Sequence, residues 1–198
     1  MSKKIYAVKN GRVPGIYLNW EECKVQVDGY SGAIYKSFSN ADDALEYIGA
    51  VKNKEAPECE VKAYVDGSYD VRTGDYSYGM VVLLSDGNTY QAYRAFSHDN
   101  EASSMRNVAG EIEGAKAAMR YALEHEYRSL AIYYDYEGIE RWCIGEWKCN
   151  KKATQEYKAF YGEAAQFVNI HFIKVKGHSG DKYNEIADKL AKAALGLC

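Results

Sequence analysis

The order of strand-like and helix-like segments after residue 60 limits the possible folds more than any other feature of this chain. Three strand patterns come first, and strands and helices then alternate to the end. In order, these segments are strands at 60–66, 78–84 and 89–96, a helix at 104–124, a strand at 130–134, helices at 137–144 and 153–166, a strand at 170–175 and a helix at 181–195. This order predicts an α/β domain with a mixed sheet.

A second, independent pattern precedes this domain. It has the features of a ββαβα unit, which are a strand at 4–8, the hairpin signal Asn10-Gly11, a strand at 13–18, a helix capped by Asn19, a strand at 33–38 and a helix ending before Gly49. Residues 50–59 are polar, contain Pro57 and have no periodicity, as is typical of a linker. We therefore predict a domain at 1–49, a linker at 50–59 and a second domain at 60–198.

Composition narrows the functional classes. The five cysteines form no CxxC pair, which argues against a zinc site or a disulfide framework and favours a reducing, cytoplasmic setting. No apolar run is long enough to span a membrane, and the first residues do not resemble a signal peptide. The formal net charge of −3 does not favour a nucleic-acid protein, although Lys3, Lys4, Lys9 and Arg12 meet no acidic residue within the first twenty positions. We expect a monomer.

Two aspartates end predicted strands of the second domain. Asp66 is followed by Gly67 and Ser68, a sequence that by itself predicts a turn, and Asp135 follows the strand at 130–134. Ligands of open α/β sheets bind outside the carboxyl ends of the strands, where the strand order reverses. If the first and fourth strands are neighbours, both carboxylates face one crevice.

One glutamate lies on the apolar face of a predicted helix. At about 100° per residue, Glu111 falls in the stripe that contains Val108, Ile112 and Ala115, whereas Glu113 points to solvent. Burying an unpaired charge is costly, so Glu111 needs a partner or a metal ion. A surface ion pair is enough to explain Glu113.

The last helix and the loop before it contain further candidates. Asn184 and Asp188 share one helix face at a spacing of four residues. His178 lies on a loop between Gly177 and Gly180, where glycines permit unusual backbone angles. Taken singly, Asp188 is an ordinary surface acid and His178 an ordinary surface histidine.

Together these residues resemble the type-1 ribonuclease H family over nearly all of 60–196. The motifs are Val-Asp-Gly-Ser (65–68), Ala-Gly-Glu-Ile (109–112), Tyr-Tyr-Asp-Tyr (133–136), Val-Lys-Gly-His-Ser-Gly (175–180) and Asn-Glu-Ile-Ala-Asp (184–188). The resemblance implies a five-stranded sheet of order 3-2-1-4-5. It also implies a magnesium-dependent endonuclease that cuts the RNA strand of RNA–DNA hybrids.

The same resemblance implies roles for particular residues. Two Mg²⁺ ions, with Mn²⁺ as a substitute, are held by four acids, namely Asp66, Glu111, Asp135 and Asp188. His178 assists from its loop, and the products carry 5′-phosphate and 3′-hydroxyl ends. Backbone groups at Gly67 and Ser68 and the amide of Asn107 are candidates for contact with the ribose hydroxyls.

The N-terminal segment resembles the hybrid-binding, viroplasmin-type domain attached to many type-1 ribonucleases H. The matching motifs include Tyr6-Ala7-Val8, Gly11-Arg12, Pro14-Gly15-Ile16-Tyr17 and Lys36-x-Phe38. The resemblance implies that Tyr6, Trp20, Tyr35 and Lys36 face the nucleic acid, with the rings stacking and the lysine contacting phosphate. The alternative is that Trp20 and Tyr35 are core residues of a small fold.

The chain departs from the family in three places. The family's usual Thr-Asn-Asn-Arg sequence before the helix glutamate appears here as Met-Arg-Asn-Val-Ala-Gly (105–110). Tyr134 and Tyr136 flank Asp135, where the family commonly has Thr and Ser, and the basic protrusion of some members is reduced to residues 147–152. Two other functions stay open. One is a nuclease of the same fold that cuts DNA or acts as a 3′–5′ exonuclease, and the other is a non-catalytic hybrid-binding protein.

Overall fold

The computed structural model describes residues 4–49, 57–98, 101–175 and 181–197. The chain divides into two compact units, Met1–Glu55 and Ala56–Cys198, and each is considered by itself. Residues 50–56, most of the predicted linker, lie outside the described part. Within the described ranges no helix is long and apolar enough to cross a membrane, and Cys23, Cys59, Cys143 and Cys149 are free thiols.

The N-terminal unit is a three-stranded antiparallel sheet of order β2-β1-β3 with two helices. Its elements are β1 (Ile5–Asn10), β2 (Gly15–Tyr17), α1 (Trp20–Val27), β3 (Ile34–Phe38) and α2 (Ala41–Tyr47). Asn19 caps α1 as predicted, because its side chain accepts a 2.9 Å hydrogen bond from the backbone N–H of Glu22. Val8, Cys23 and Val27 form a small core between the sheet and α1.

The second unit contains five strands and four α-helices in its described residues. They are β4 (Val61–Tyr69), β5 (Tyr76–Leu83), β6 (Thr89–Phe96), α3 (Asn107–Glu124), β7 (Ser129–Tyr134), α4 (Gly138–Cys143), α5 (Lys152–Ala164), β8 (Asn169–Lys174) and α6 (Lys182–Ala194), with a short 3-10 helix at Glu101–Met105. The predicted helix at 104–124 is thus divided between this 3-10 turn and α3.

The five strands form one mixed sheet of order β6-β5-β4-β7-β8. Strands β4, β5 and β6 are antiparallel neighbours, whereas β4, β7 and β8 run parallel. Counted within this unit, the order is 3-2-1-4-5, so the predicted fold is confirmed. Ile112 and Met119 of α3 pack with Leu130 and Ile132 of β7 in the main core.

The sequence Asp66-Gly67-Ser68 does not form a turn. It lies inside β4, whose pairing with β5 continues to the Tyr69–Tyr76 pair. The predicted end of this strand is therefore wrong, because the long β4–β5 hairpin provides backbone hydrogen bonds that the local sequence does not reveal. Pairing between β4 and β7, however, stops at Tyr64. Asp66 therefore lies just beyond the point where the two parallel strands separate.

Glycine allows α3 to approach the β4–β5 hairpin at backbone distance. A Cβ atom at Gly67 would lie 2.1 Å from the carbonyl oxygen of Asn107, and one at Gly110 would lie 1.9 Å from the carbonyl oxygen of Ser77. No side chain fits at either position. The contact brings the first turns of α3, which include Glu111, against the strand that contains Asp66.

A similar approach on another part of the hairpin positions α6. A Cβ atom at Gly79 would lie 2.0 Å from the carbonyl oxygen of Ala187 and 2.6 Å from the amide nitrogen of Ala191. The buried Ser77 hydroxyl donates a 2.6 Å hydrogen bond to the carbonyl oxygen of Ala191. Gly79 pairs with Asp66 in the sheet, so the middle of α6 is held beside Asp66.

We predict that Gly110→Ala destabilises the protein by about 3 kcal/mol or more, because the new methyl group overlaps backbone that cannot rotate away. Gly162→Ala is the matched control. It lies on an exposed part of α5, where nothing is within 4 Å of the added methyl group, and should stabilise the protein by about 0.5–1 kcal/mol. Urea unfolding of both variants measures the difference. Equal effects of the two substitutions would show that the close approach of α3 does not matter for stability.

Candidate active site

Three predicted acids meet at the edge of the large sheet. Asp66 comes from β4, Glu111 from α3 and Asp135 from the residue after β7. One ligand oxygen from each lies within 4.8 Å of the other two. The parallel β4–β7 pair and the glycine contact with α3 bring these residues together although they are far apart in sequence. We call these three residues the carboxylate cluster.

Burial and mutual repulsion make the carboxylate cluster unfavourable in its ionised form. Glu111 is 1% exposed, and burial, followed by the charges of Asp135 and Asp66, raises its pKa well above the ordinary value. Burial, and then the charge of Asp135, raises the pKa of Asp66 to about 7. The backbone N–H of Gly67 offsets part of this shift, because it donates a 2.7 Å hydrogen bond to Asp66 Oδ1.

The hydrogen bonding of Glu111 leaves room for a cation. Its Oε2 atom is buried and has no hydrogen-bond partner among the described residues, while Asn107 Nδ2 lies 3.5 Å from Oε1. Buried carboxylate oxygens normally have partners. Hard oxygen ligands from three carboxylates suit Mg²⁺, which also keeps several water molecules. The residues present therefore fit a divalent ion.

Asp188 lies outside the carboxylate cluster. Its Oδ2 atom forms a 2.7 Å ion pair with Lys192 Nζ, one turn further along α6. Both side chains nevertheless act on Asp66, whose pKa is raised by the charge of Asp188 and lowered by that of Lys192. This face of α6 is therefore directed toward the carboxylate cluster, with Asp188 as its nearest acid.

The other residues predicted for this site differ in where the structure places them. His178 lies outside the described residues, so its role stays a prediction. Ser68 is buried within β4, and Gly67 is packed against α3. Asn107 is exposed at the start of α3, close to Glu111. Glu113 forms an ion pair of 2.6 Å with Lys116, which agrees with the local partner expected for it.

Sequence reasoning did not assign roles to the tyrosines on either side of Asp135. Tyr134 is buried, and its hydroxyl donates a 2.6 Å hydrogen bond to Glu140 of α4. Tyr136 contacts the rings of Trp142 and Trp147, with ring centroids 5.8 and 6.1 Å away. Its pKa is raised by burial and by the charge of Glu111, so it borders the carboxylate cluster. The only signal for them in the sequence was that both tyrosines differ from the residues that the family commonly has beside this aspartate.

Tyr136 lines one side of a cavity of about 340 Å³. Met105, Val108 and Trp142 provide apolar walls. The polar side of the cavity is formed by Lys148, Asn150 and Lys151 of the short segment before α5 and by Thr154 in the first turn of that helix. This combination suits the sugar and phosphate of a nucleotide strand, since apolar surface faces the sugar and lysine faces the phosphate.

In the N-terminal unit, three predicted aromatic residues form a continuous group. The ring of Trp20 lies 5.5 Å from that of Tyr6 and 5.8 Å from that of Tyr35 between centroids. Trp20 is 38% exposed and Tyr35 is 44% exposed, so neither is an ordinary core residue. An exposed group of rings suits stacking on nucleic acid.

Lys36 does not join this group. It pairs with Ala7 in the sheet, whereas Tyr35 pairs with Val8, so alternation places Lys36 and Tyr35 on opposite faces of β3. Its Nζ atom lies 5.4 Å from the centroid of the Phe38 ring on that face. Because β3 is an edge strand, phosphate contact by Lys36 would have to occur around the edge of the sheet.

The fold and the carboxylate cluster together define a ribonuclease H-like nuclease. Comparison with known families agrees. A family model described as the ribonuclease H1 N-terminal domain matches residues 4–48, and one described as RNase H matches residues 58–196. The second model covers more than half of the chain. The chain therefore belongs to the ribonuclease H family, and the resemblance inferred from its motifs is confirmed.

Individual relatives support both parts of this assignment. Human ribonuclease H1 is 26% identical over 94% of this chain and 87% of its own length. A ribonuclease H of Saccharomyces cerevisiae is 57% identical over 44 residues, which are 22% of this chain and 13% of that protein. Among solved structures, RNase H1 from Halobacterium salinarum covers 70% of this chain and 98% of its own, with a TM-score of 0.58 and 21% identity. LC11-RNase H1 in complex with an RNA/DNA hybrid covers 68% of this chain and 99% of its own, with a TM-score of 0.54 and 18% identity.

We predict opposite pH effects for two Asp→Asn variants in the presence of a chelator. The pKa of Asp66 is higher in the folded protein than in the unfolded chain, so the folded state keeps a proton that the unfolded chain releases. The contribution of Asp66 to the stability of the wild type is therefore lost as pH rises from its ordinary pKa of 3.8 to about 7. Asp66→Asn should become progressively more stable than wild type over this range and keep a constant advantage above it.

Asp86 is the control for this prediction. It is exposed and accepts hydrogen bonds from the backbone and side chain of Asn88, which lower its pKa. Asp86→Asn should therefore become less stable than wild type as pH rises through the acidic range. Urea unfolding at several pH values measures both differences. The same sign for both variants would contradict the electrostatic description of the carboxylate cluster.

Proposed function

We propose that this ribonuclease H is an endonuclease that cuts the RNA strand of RNA–DNA hybrids with the help of two divalent ions, leaving 5′-phosphate and 3′-hydroxyl ends. The observation that supports it most is the carboxylate cluster with the unpartnered Glu111 Oε2 atom. Membership of the ribonuclease H family supports the reaction class, and the solved complex of LC11-RNase H1 with an RNA/DNA hybrid supports the substrate class.

Asp66, Glu111 and Asp135 would hold the ions, with Asp188 released from Lys192 as a fourth ligand. When bound, divalent ions supply an activated water molecule and stabilise the charge that develops on the leaving oxygen. Mg²⁺ is the ion we propose, with Mn²⁺ as a substitute, because all the ligands are hard oxygen atoms. His178 would deliver the proton that the leaving 3′-oxygen needs.

Selectivity for the RNA strand would come from the ribose 2′-hydroxyl groups, which line the wide minor groove of the hybrid on one strand only. The exposed amide of Asn107 is the best-placed side chain to contact them, because it lies beside Glu111. Backbone groups at Gly67 and Ser68 stay candidates for contact with these hydroxyl groups. Because the side chain of Ser68 is buried, its contact would have to come from backbone atoms.

The reaction is tested with an end-labelled RNA–DNA hybrid, with and without Mg²⁺, alongside RNA–RNA and DNA–DNA duplexes. Cleavage restricted to the hybrid and to samples with Mg²⁺ is the expected result. A hybrid with an internal RNA segment and blocked ends separates an endonuclease from an exonuclease. Cleavage of the DNA duplex, or no cleavage of any substrate, would contradict the proposal.

We predict that Asp135→Asn abolishes cleavage while hybrid binding survives, because the substitution removes a ligand charge from the carboxylate cluster and changes little volume. Cleavage assays in Mg²⁺ and a gel-shift assay on the same hybrid measure the two properties. The exposed Glu126→Gln is the control and should retain activity. Asp135→Asn activity above a few per cent of wild type would remove Asp135 from the ligand set.

The N-terminal unit would anchor the substrate. The whole chain has a net charge of −3, and phosphate neutralisation dominates non-specific affinity, so the catalytic unit alone is expected to bind hybrids weakly. The exposed rings of Trp20 and Tyr35, with the half-buried ring of Tyr6 beside Trp20, offer a surface on which sugars and bases can stack. Tethering this surface to the catalytic unit raises the effective concentration of substrate at the site.

We predict that Trp20→Ala raises the apparent KM for a long hybrid and shortens the run of cuts per encounter. One stacking contact contributes roughly 1–3 kcal/mol, equivalent to about ten- to hundred-fold in affinity. The turnover number at saturating substrate should change little. Val25→Ala, on the same helix and 64% exposed, is the matched control and should leave KM unchanged. An unchanged KM and product-length distribution for Trp20→Ala would exclude this surface as the anchor.

A further inference from the structure

One buried polar atom outside the carboxylate cluster also has no partner. Asn184, in the first turn of α6, is 5% exposed, and its Oδ1 atom is buried without a hydrogen bond. In the described residues the other buried side-chain oxygen in this condition is Glu111 Oε2. Leaving a buried acceptor unpaired carries the full cost of removing it from water, so a purely structural asparagine would be expected to have a donor nearby.

The face of α6 that contains Asn184 is directed toward the carboxylate cluster. Residues 184, 188 and 192 follow one another at intervals of four and therefore share one side of the helix. The charges of Asp188 and Lys192 both act on Asp66, which shows that this side faces the carboxylate cluster. Asn184 lies on the same side of α6, one turn before Asp188, and is the most buried of the three residues.

The packing of α6 locates that turn over the two strands that provide the aspartates. Tyr183 contacts Tyr64 of β4 with ring centroids 5.4 Å apart, and Tyr64 stacks on Tyr133 of β7 at 4.3 Å. Tyr64 and Tyr133 each lie two residues before the aspartates of their strands. The start of α6 therefore lies over β4 and β7 at the level of Tyr64 and Tyr133, two residues before Asp66 and Asp135.

We propose that Asn184 Oδ1 accepts a hydrogen bond from a water molecule coordinated to a divalent ion at the carboxylate cluster. The inference rests on the proposed metal site. Mg²⁺ keeps several of its water molecules when carboxylates bind it, and each such water is a strong donor that needs an acceptor. Groups that bond to the ligands of an ion orient them and tune its affinity. Asn184 is thus a positioning residue and not itself a ligand.

The test measures metal binding directly, in the full-length protein and without substrate. Calorimetric titration with Mg²⁺ compares the wild type with Asn184→Ala, and Glu185→Gln serves as the control because Glu185 is an exposed neighbour on the same helix. Loss of an outer-shell partner typically weakens metal affinity by about 10–100-fold, which is the expected result for Asn184→Ala. Glu185→Gln should bind as the wild type does.

A second readout needs no mutation. In ¹⁵N-labelled wild-type protein, the side-chain amide resonance of Asn184 should shift when Mg²⁺ is added. Asn184→Ala that binds Mg²⁺ as tightly as the wild type, or an amide resonance that does not move, would overturn the inference and leave the proposed function intact. Unchanged metal affinity with a raised KM for the hybrid would assign Asn184 to the ribose hydroxyls instead, which also overturns it. A wild type that does not bind Mg²⁺ would overturn the proposed function together with the inference.

Discussion

The site depends on how closely two helices approach the β4–β5 hairpin. A glycine in a strand often marks a site where another backbone approaches closely, and here Gly67 and Gly110 bring α3, and Gly79 brings α6, to backbone distance from the same two strands. Ser77 takes part in both contacts, because its carbonyl oxygen meets Gly110 while its hydroxyl bonds to α6. A methyl group at any of these glycines would move Glu111 or Asp188 away from Asp66. The glycines are therefore as necessary to the site as the acids.

This arrangement makes the metal-free site unstable in itself. Glu111 and Asp66 are buried next to Asp135, and the backbone N–H groups of Gly67 and Tyr136 compensate for only part of the repulsion. Lys192, which is paired with Asp188, offsets only part of the negative charge that Asp188 adds near Asp66. The main core of aliphatic and aromatic side chains provides the stability that the carboxylate cluster removes. Repulsion among the carboxylates of the metal-free protein therefore favours the binding of a cation. The three carboxylates already lie together without the ion.

Much of this could be predicted from the sequence, and the failures have physical causes. Strand order followed from the family motifs, and the burial of Glu111 followed from helical periodicity, since both depend on patterns along the chain. The end of β4 was predicted incorrectly because Asp66-Gly67-Ser68 favours a turn locally, whereas pairing with β5 extends the strand. The separation of Lys36 from the aromatic rings depends on the register of β3, which a motif cannot show. The approach of α6 at Gly79 is a contact between distant residues and left no local pattern either.

The departures from the family pattern around Asp135 compensate for one another. Tyr134 is larger than the usual threonine, but its ring packs in the core and its hydroxyl bonds to Glu140, so no buried polar atom is left unpaired. Tyr136 fills, with Trp142 and Trp147, space beside the short segment that precedes α5. Aromatic packing thus supports the segment at 147–152, where the family resemblance implies a basic protrusion in some members. This segment contains three lysines, so under the proposed function most of the affinity for a hybrid would come from elsewhere in the chain. The exposed rings of the N-terminal unit would meet that need because stacking, unlike phosphate attraction, does not require positive charge.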